Sequence, residues 1–122
     1  MPEADLPGLF AGADAFLYPT LYEGFGLPVV EAMASGVPVL TSSTSALQEV
    51  AGGYAYLVDP IDVDAIARGI VALATDPARR AEFADLGKRR ARDFSWDQAA
   101  ARTLQVYAEA LGTAPARPTL EP

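Results

Sequence analysis

The chain of 122 residues contains no cysteine and no histidine. The absence of cysteine excludes a disulfide framework and a thiol nucleophile. The absence of both residue types excludes a Cys/His zinc site and a histidine base. Side-chain acid–base chemistry in this chain therefore has to come mainly from Asp, Glu or Tyr.

Long apolar runs are also missing. No segment approaches the roughly 20 apolar residues that a transmembrane helix needs, and the N-terminus lacks the basic and then apolar pattern of a secretory signal. Hydrophobic residues make up 51% and charged residues 20% of the sequence, which is typical of a soluble globular protein. The length suits a single domain. We therefore expect a cytoplasmic location.

Lysine and arginine are absent from residues 1–67, which carry nine acidic residues, and all nine basic residues lie from Arg68 onward. The net charge of the whole chain is −7. This charge argues against nucleic acid or an anionic membrane as a general partner.

The apolar pattern alternates short strand-like segments with helical ones. Continuous apolar runs predict parallel strands covered on both faces, at Ala15–Tyr18, Val37–Leu40 and Tyr54–Val58. Proline, glycine and capping signals predict helices before, between and after them, at Leu6–Ala13, Pro28–Ala34, Ala46–Ala51, Asp62–Thr75, Pro77–Asp93 and from Ser95 to Leu111.

This order predicts an α/β fold: the second half of a Rossmann-like doubly wound parallel sheet, with about three parallel strands. Helices should cover both faces, and three helices should close the chain. Residues 1–112 would form this partial domain. Residues 113–122 contain three prolines and are predicted to be a mobile tail.

The loop between the first two predicted strands carries the most informative motif. Gly24 and Gly26 leave backbone N–H groups unobstructed, and a helix that starts at Pro28 offers free donors and a positive dipole end, which suits a phosphate. Glu31, about one turn into the helix, can accept hydrogen bonds from a vicinal diol such as ribose. Taken alone, these glycines are also ordinary turn residues, and they do not form a dinucleotide fingerprint.

The whole string closely resembles the signature of the family-four glycosyltransferases, also called glycosyl transferases group 1. Two glutamates, Glu23 and Glu31, are separated by seven residues and enclose Gly-Phe-Gly-Leu-Pro. The similarity extends over almost the whole chain to residue 111, including Phe94-Ser95-Trp96 before the last helix. Gln48 and Gly53 depart from the residues common in the family.

The resemblance implies a retaining enzyme of the GT-B fold that uses a nucleotide-diphosphate sugar as donor, with no cofactor and no metal. Glu23 would be the catalytic residue and would face the donor sugar together with Gly24, Phe25 and Gly26. Leu27 and Pro28, at the helix start, would bind the diphosphate, and Glu31 would bind the ribose. The resemblance does not identify the acceptor, and it leaves a peripheral membrane association of the intact enzyme open.

The resemblance also implies that this chain is only the donor half. A complete Rossmann unit needs three more strands before Leu6, and the family adds an N-terminal domain that supplies the acceptor site. The basic residues with which the family contacts the donor phosphates would lie upstream of this chain as well. The alternative is a non-catalytic, self-associating module that binds nucleotide weakly at most.

The missing strands have a consequence for assembly. In the usual strand order the segment Ala15–Tyr18 would be central, so its edge would be free, and Trp96, Leu104 and Tyr107 would form an exposed apolar patch. We therefore predict a homo-oligomer of the isolated chain.

Four other features of the sequence favour structural roles. Asp62-Val63-Asp64 imitates a metal-binding Asp-x-Asp but is better interpreted as a helix cap. Glu49 suits a solvated helix face at least as well as the nucleotide end of the site. Trp96 and Tyr107 suit core or domain-interface packing. The basic residues of the fifth helical region suggest a solvated face: Arg79, Arg80, Lys88, Arg89, Arg90 and Arg92.

Overall fold

The computed structural model describes residues 3–113, and most of the predicted tail, residues 113–122, lies outside this range. The helices and strands are, in chain order, α1 (Leu6–Ala11), β1 (Phe16–Tyr18), α2 (Leu27–Ala34), β2 (Val39–Ser42), α3 (Ser45–Ala51), β3 (Tyr56–Val58), α4 (Val63–Thr75), α5 (Pro77–Ala91) and α6 (Trp96–Ala110). Short 3₁₀ turns cover Glu3–Asp5 and Gly52–Tyr54.

The three strands form one parallel sheet in the order β1-β2-β3. Phe16 lies opposite Val39, and Leu40 lies opposite Tyr56. The predicted α/β class with a parallel sheet and three closing helices is confirmed. Within residues 3–113, β1 pairs with β2 only, so its other edge is unpaired.

Two apolar cores lie on opposite faces of the sheet, because neighbouring residues of a strand point to opposite sides. The larger core contains Val39 of β2 with Met33 of α2 and Leu47 of α3. The smaller core contains Leu40 of β2 with Leu73 of α4. Helices therefore cover both faces, as predicted.

The second strand begins two residues later than predicted and includes Thr41 and Ser42, which the sequence placed in a polar loop. Both are fully buried. Their hydroxyl groups donate hydrogen bonds to the backbone oxygens of Tyr18 and Thr20. These bonds offset the cost of burying two hydroxyl groups, so polar residues can continue a strand.

The other two strands also differ from their predictions. The third begins at Tyr56 rather than Tyr54, because Gly52–Tyr54 forms a 3₁₀ turn. The prediction that β1 is covered on both faces is wrong for the described residues, since the Leu17 side chain is 43% exposed. The remaining helix ends differ by one or two residues, which is the usual uncertainty of such boundaries.

Side-chain caps begin the last three helices. Asp62 accepts a hydrogen bond from the Ala65 N–H at 2.8 Å, so its interpretation as a helix cap is confirmed. Ser95 Oγ accepts a hydrogen bond from the backbone N–H of Gln98 at 3.1 Å. The side-chain amide of Gln98 donates to the Arg92 carbonyl instead of completing a capping box. Within α5, Asp85 and Arg89 are four residues apart and form an ion pair at 2.6 Å.

Helix α6 contributes no buried residue. Trp96 is 86% exposed, and Leu104 and Tyr107 are exposed as well. The suggestion that Trp96 and Tyr107 pack in this chain's own core is therefore wrong. No other part of the described chain covers their apolar face.

Among the described residues, no helix is both long and apolar enough to cross a bilayer.

Candidate functional site

The loop from Pro19 to Gly26 follows the carboxyl end of β1, and Glu23 lies in it half-buried. The Tyr18 hydroxyl donates a hydrogen bond to Glu23 Oε1 at 2.7 Å. This hydrogen bond, with smaller contributions from burial and from the Glu23 charge, raises the pKa of Tyr18 above its usual value. The protonated Tyr18 hydroxyl is thus a donor to the Glu23 carboxylate.

The two glycines of the motif have different surroundings. Gly24 is exposed, and a Cβ added there would meet no atom within 4 Å. Gly26 is buried with φ +92° and ψ +46°, and a Cβ there would overlap the Leu47 side chain. Gly26 is thus required by the backbone and by α3, because the left-handed region favours glycine. The fold gives no comparable reason for Gly24.

Helix α2 starts directly after this loop. Gly26 is its N-cap and offers no side-chain cap, while Leu27 and Pro28 form its first turn. A first turn leaves backbone N–H groups without intrahelical partners. Pro28 has no N–H and the Val29 N–H donates to the Gly26 carbonyl at 3.0 Å, so the Leu27 N–H is the donor that remains, and no described side chain caps the helix start. Glu31 lies one turn further on and is exposed. The helix start is therefore open to an anionic ligand.

A cavity of about 640 Å³ separates the start of α2 from α6. Phe25, Leu27 and Glu31 line it on one side, and Trp96 and Arg102 line it on the other. Glu49, whose role the sequence left open, also lines this cavity. The structure thus brings three of the predicted site residues, Phe25, Leu27 and Glu31, to this one cavity. Glu23 lines neither this cavity nor a second, smaller cavity beside it.

The smaller cavity, of about 120 Å³, lies beside Gly24 and Phe25 and is also lined by Arg90 and Phe94. Phe25 packs edge-to-face on Phe94 with ring centroids 5.7 Å apart. The Arg90 guanidinium lies 4.7 Å from the Phe94 ring centroid, within the range of a cation–π contact. Arg90 therefore supports the motif loop through two aromatic rings.

Arg90 is one of two exceptions to the predicted solvated basic face. Its Nε and Nη2 donate to the backbone oxygens of Val50 and Glu49 at 2.9 and 2.8 Å. Arg80 Nη1 likewise donates to the carbonyl oxygens of Leu73 and Ala74, at the end of α4. For these two arginines the prediction is wrong, because uncapped helix carbonyls attract them. The spacing of Arg90 four residues before Phe94 was the only sequence signal of its role.

The comparisons with known proteins identify the family of the chain. The family model described as glycosyl transferases group 1 matches residues 1–90. The chain belongs to this family. The family resemblance noted in the sequence is confirmed, and the named relatives are glycosyltransferases.

Two curated relatives are each 43% identical to the chain. O-antigen chain mannosyltransferase B of Escherichia coli is similar over 88% of this chain and 28% of its own length. MMP alpha-(1->4)-mannosyltransferase of Mycolicibacterium hassiacum is similar over 91% and 28%, respectively. Among solved structures, sucrose-phosphate synthase from Thermosynechococcus elongatus has a TM-score of 0.76 at 31% identity, over 87% of this chain and 27% of that one. The chain thus spans about 28% of the length of the two curated relatives.

Proposed function

We propose that this chain is the donor-binding part of a longer retaining glycosyltransferase, called the full-length enzyme below. Its substrate there is a nucleotide-diphosphate sugar. The proposal rests on one observation: the loop after β1 presents a held carboxylate, an open glycine and an uncapped helix start in succession. Ligands of open α/β sheets bind at the carboxyl ends of the strands.

Each group suits one part of such a donor. Glu23 accepts hydrogen bonds from hydroxyl groups of the sugar, beside the backbone of Gly24, Phe25 and Gly26. The first turn at Leu27 and Pro28 receives the diphosphate, and Glu31 holds the ribose diol. With no histidine in the chain, we propose that the leaving phosphate assists removal of the acceptor proton. No metal is required in this scheme.

A donor panel tests the proposal directly. The full-length enzyme, incubated with sugar nucleotides that differ in base and sugar, should transfer or hydrolyse at least one of them, and EDTA should not abolish the reaction. In the isolated chain, amide NMR shifts induced by the preferred nucleotide should include residues 23–31. Turnover of no donor, or unchanged amide shifts across residues 23–31, would argue against the proposal.

The 122-residue chain alone should not turn over a sugar nucleotide. It spans about 28% of its curated relatives. Among the described residues, Arg102 is the only cation that lines the larger cavity, which is also lined by three acidic residues, Glu31, Glu49 and Asp93. A diphosphate would gain mainly the interaction with the helix dipole, about 0.3 to 2 kcal/mol. Product formation by the purified chain, measured with the same panel, would contradict this expectation.

A second candidate role is self-association, and α6 is the observation that favours it. This helix buries none of its residues, and β1 has an unpaired edge within the described part of the chain. Leu104→Glu, on the exposed apolar face, should shift a homo-oligomer towards the monomer in light scattering at several concentrations. Val71→Glu, at an exposed position on α4, is the control. A wild-type monomer at every concentration would exclude this role.

The cytoplasmic location also remains a proposal, and fractionation of cells that produce the full-length enzyme would test it.

A further inference from the structure

We propose that Tyr18 is a positioning residue for sugar transfer: its hydroxyl holds the Glu23 carboxylate in the orientation in which it meets the donor sugar. This inference rests on the proposed function, because it assigns Glu23 to the sugar. It adds a residue of β1 to a site otherwise built from the loop and α2.

The hydroxyl contact is specific to one oxygen of the carboxylate. Tyr18 donates to Glu23 Oε1 at 2.7 Å across five residues of chain. Among residues 3–113, Glu23 Oε2 has no hydrogen-bond partner, which leaves it free to accept from a ligand hydroxyl. A hydrogen bond to a carboxylate is shorter and stronger than one between neutral groups, so this contact restricts the rotation of the Glu23 side chain.

The Tyr18 ring is itself held in place by an aromatic row. Phe10 of α1 packs edge-to-face on Phe16 at 5.3 Å, and Phe16 stacks on Tyr18 at 5.6 Å between ring centroids. Phe10 is buried in the larger core, and the rings of Phe16 and Tyr18 pack against that core. The row therefore connects the core to the Tyr18 hydroxyl through rigid groups, as a precise site requires.

The backbone around Tyr18 is fixed by the neighbouring strand. Thr41 Oγ1 donates to the Tyr18 carbonyl at 2.9 Å, and Ser42 Oγ donates to the Thr20 carbonyl. Both hydroxyl groups come from the buried end of β2. They hold the Tyr18 backbone and the first residues of the loop against the sheet.

Tyr18→Phe removes only the hydroxyl and keeps the aromatic row. In the full-length enzyme we expect kcat to fall by about tenfold, with the donor KM changed less than about twofold, since a misplaced catalytic group mainly affects the transition state. Tyr56→Phe is the matched control: its ring packs near Phe83 on the other face of the sheet, and its hydroxyl has no hydrogen-bond partner within residues 3–113. This control should keep the wild-type kcat.

A double-mutant cycle distinguishes positioning from a general packing effect. If Tyr18 acts through Glu23, then Tyr18→Phe should lower kcat by less than about twofold in a Glu23→Ala background, because interacting residues are not additive. Full additivity, or an unchanged kcat in Tyr18→Phe, would overturn the inference. It would leave the proposed function intact wherever Glu23→Ala still slows transfer.

The isolated chain provides a second readout that needs no turnover. A nuclear Overhauser effect between the Tyr18 ring protons and the Glu23 γ protons should be present in the wild type and weaken in Tyr18→Phe, while the unfolding midpoint stays close to wild type. Its absence from the wild type would also overturn the inference. Failure of the full-length enzyme to use any sugar nucleotide would refute the proposed function, and the inference with it.

Discussion

Replacing Glu23 by alanine in the full-length enzyme should lower kcat for sugar transfer by about 10- to 150-fold, because a hydrogen bond to a charged group contributes about 1.5 to 3 kcal/mol. Nucleotide affinity should change little, since Glu23 lies in the loop before the helix start and lines neither cavity beside α2. Steady-state rates across donor concentrations measure the first effect, and calorimetric titration with the free nucleotide measures the second.

Glu31→Ala should have the opposite effect: nucleotide affinity should fall, and kcat should change little. Glu31 is exposed on the first turns of α2 and lines the larger cavity, so its loss should weaken nucleotide binding by the same factor of about 10 to 150. Glu82→Ala, on the exposed face of α5 and outside both cavities, is the control and should leave both quantities unchanged. Wild-type nucleotide affinity in Glu31→Ala would contradict the ribose assignment.

Glu49→Ala resolves a question that the sequence left open. Glu49 lines both cavities beside Phe25, yet its backbone oxygen also receives a hydrogen bond from Arg90. Because the Arg90 bond uses the main chain, truncating the Glu49 side chain preserves it. Any loss of nucleotide affinity in this variant, measured in the same titration, would then come from the carboxylate in the cavity.

The sequence predicted the fold class and the order of elements because these depend on local signals. Apolar runs, prolines and glycines alternate clearly, and Asp62 and Ser95 stand where caps are needed. The position of β2 could not be predicted in the same way. Whether Thr41 continues a strand depends on the Tyr18 carbonyl, which is 23 residues away in the sequence.

The candidate site shows the same limit. The motif from Glu23 to Glu31 is contiguous, so its residues could be named from the sequence. The groups that support it are not contiguous: Arg90 and Phe94 come from the end of α5 and the segment after it, and Tyr18 from the preceding strand. Charge and composition do not distinguish Arg90 from its solvated neighbours, because its partners are backbone carbonyls brought close only by folding.

The exposed face of α6 could not be explained from the sequence either. Its apolar stripe correctly predicted an amphipathic helix, but periodicity cannot say which molecule covers that stripe. The relatives extend well beyond the length of this chain, so the covering surface need not belong to these 122 residues. The three residues of the predicted patch, Trp96, Leu104 and Tyr107, are nevertheless exposed.

Gly26→Ala should destabilise the isolated chain by about 1 to 3 kcal/mol, whereas Gly24→Ala should change the free energy of unfolding by less than about 0.5 kcal/mol. The two substitutions add the same methyl group two residues apart. At Gly26 the methyl group meets the buried Leu47 side chain and a φ of +92°, so both the start of α2 and its packing on α3 have to shift. At Gly24 the space is open, and urea unfolding of the two variants measures the difference.

The two glycine variants should differ less in donor binding than in stability. If Gly24 is a glycine because the donor sugar approaches its backbone, then Gly24→Ala in the full-length enzyme should weaken donor binding although the fold is unaffected. Gly26→Ala should weaken it as well, through displacement of the helix start that we propose receives the diphosphate. Wild-type donor affinity in Gly24→Ala would remove Gly24 from the site, and equal stability of the two variants would contradict the left-handed geometry at Gly26.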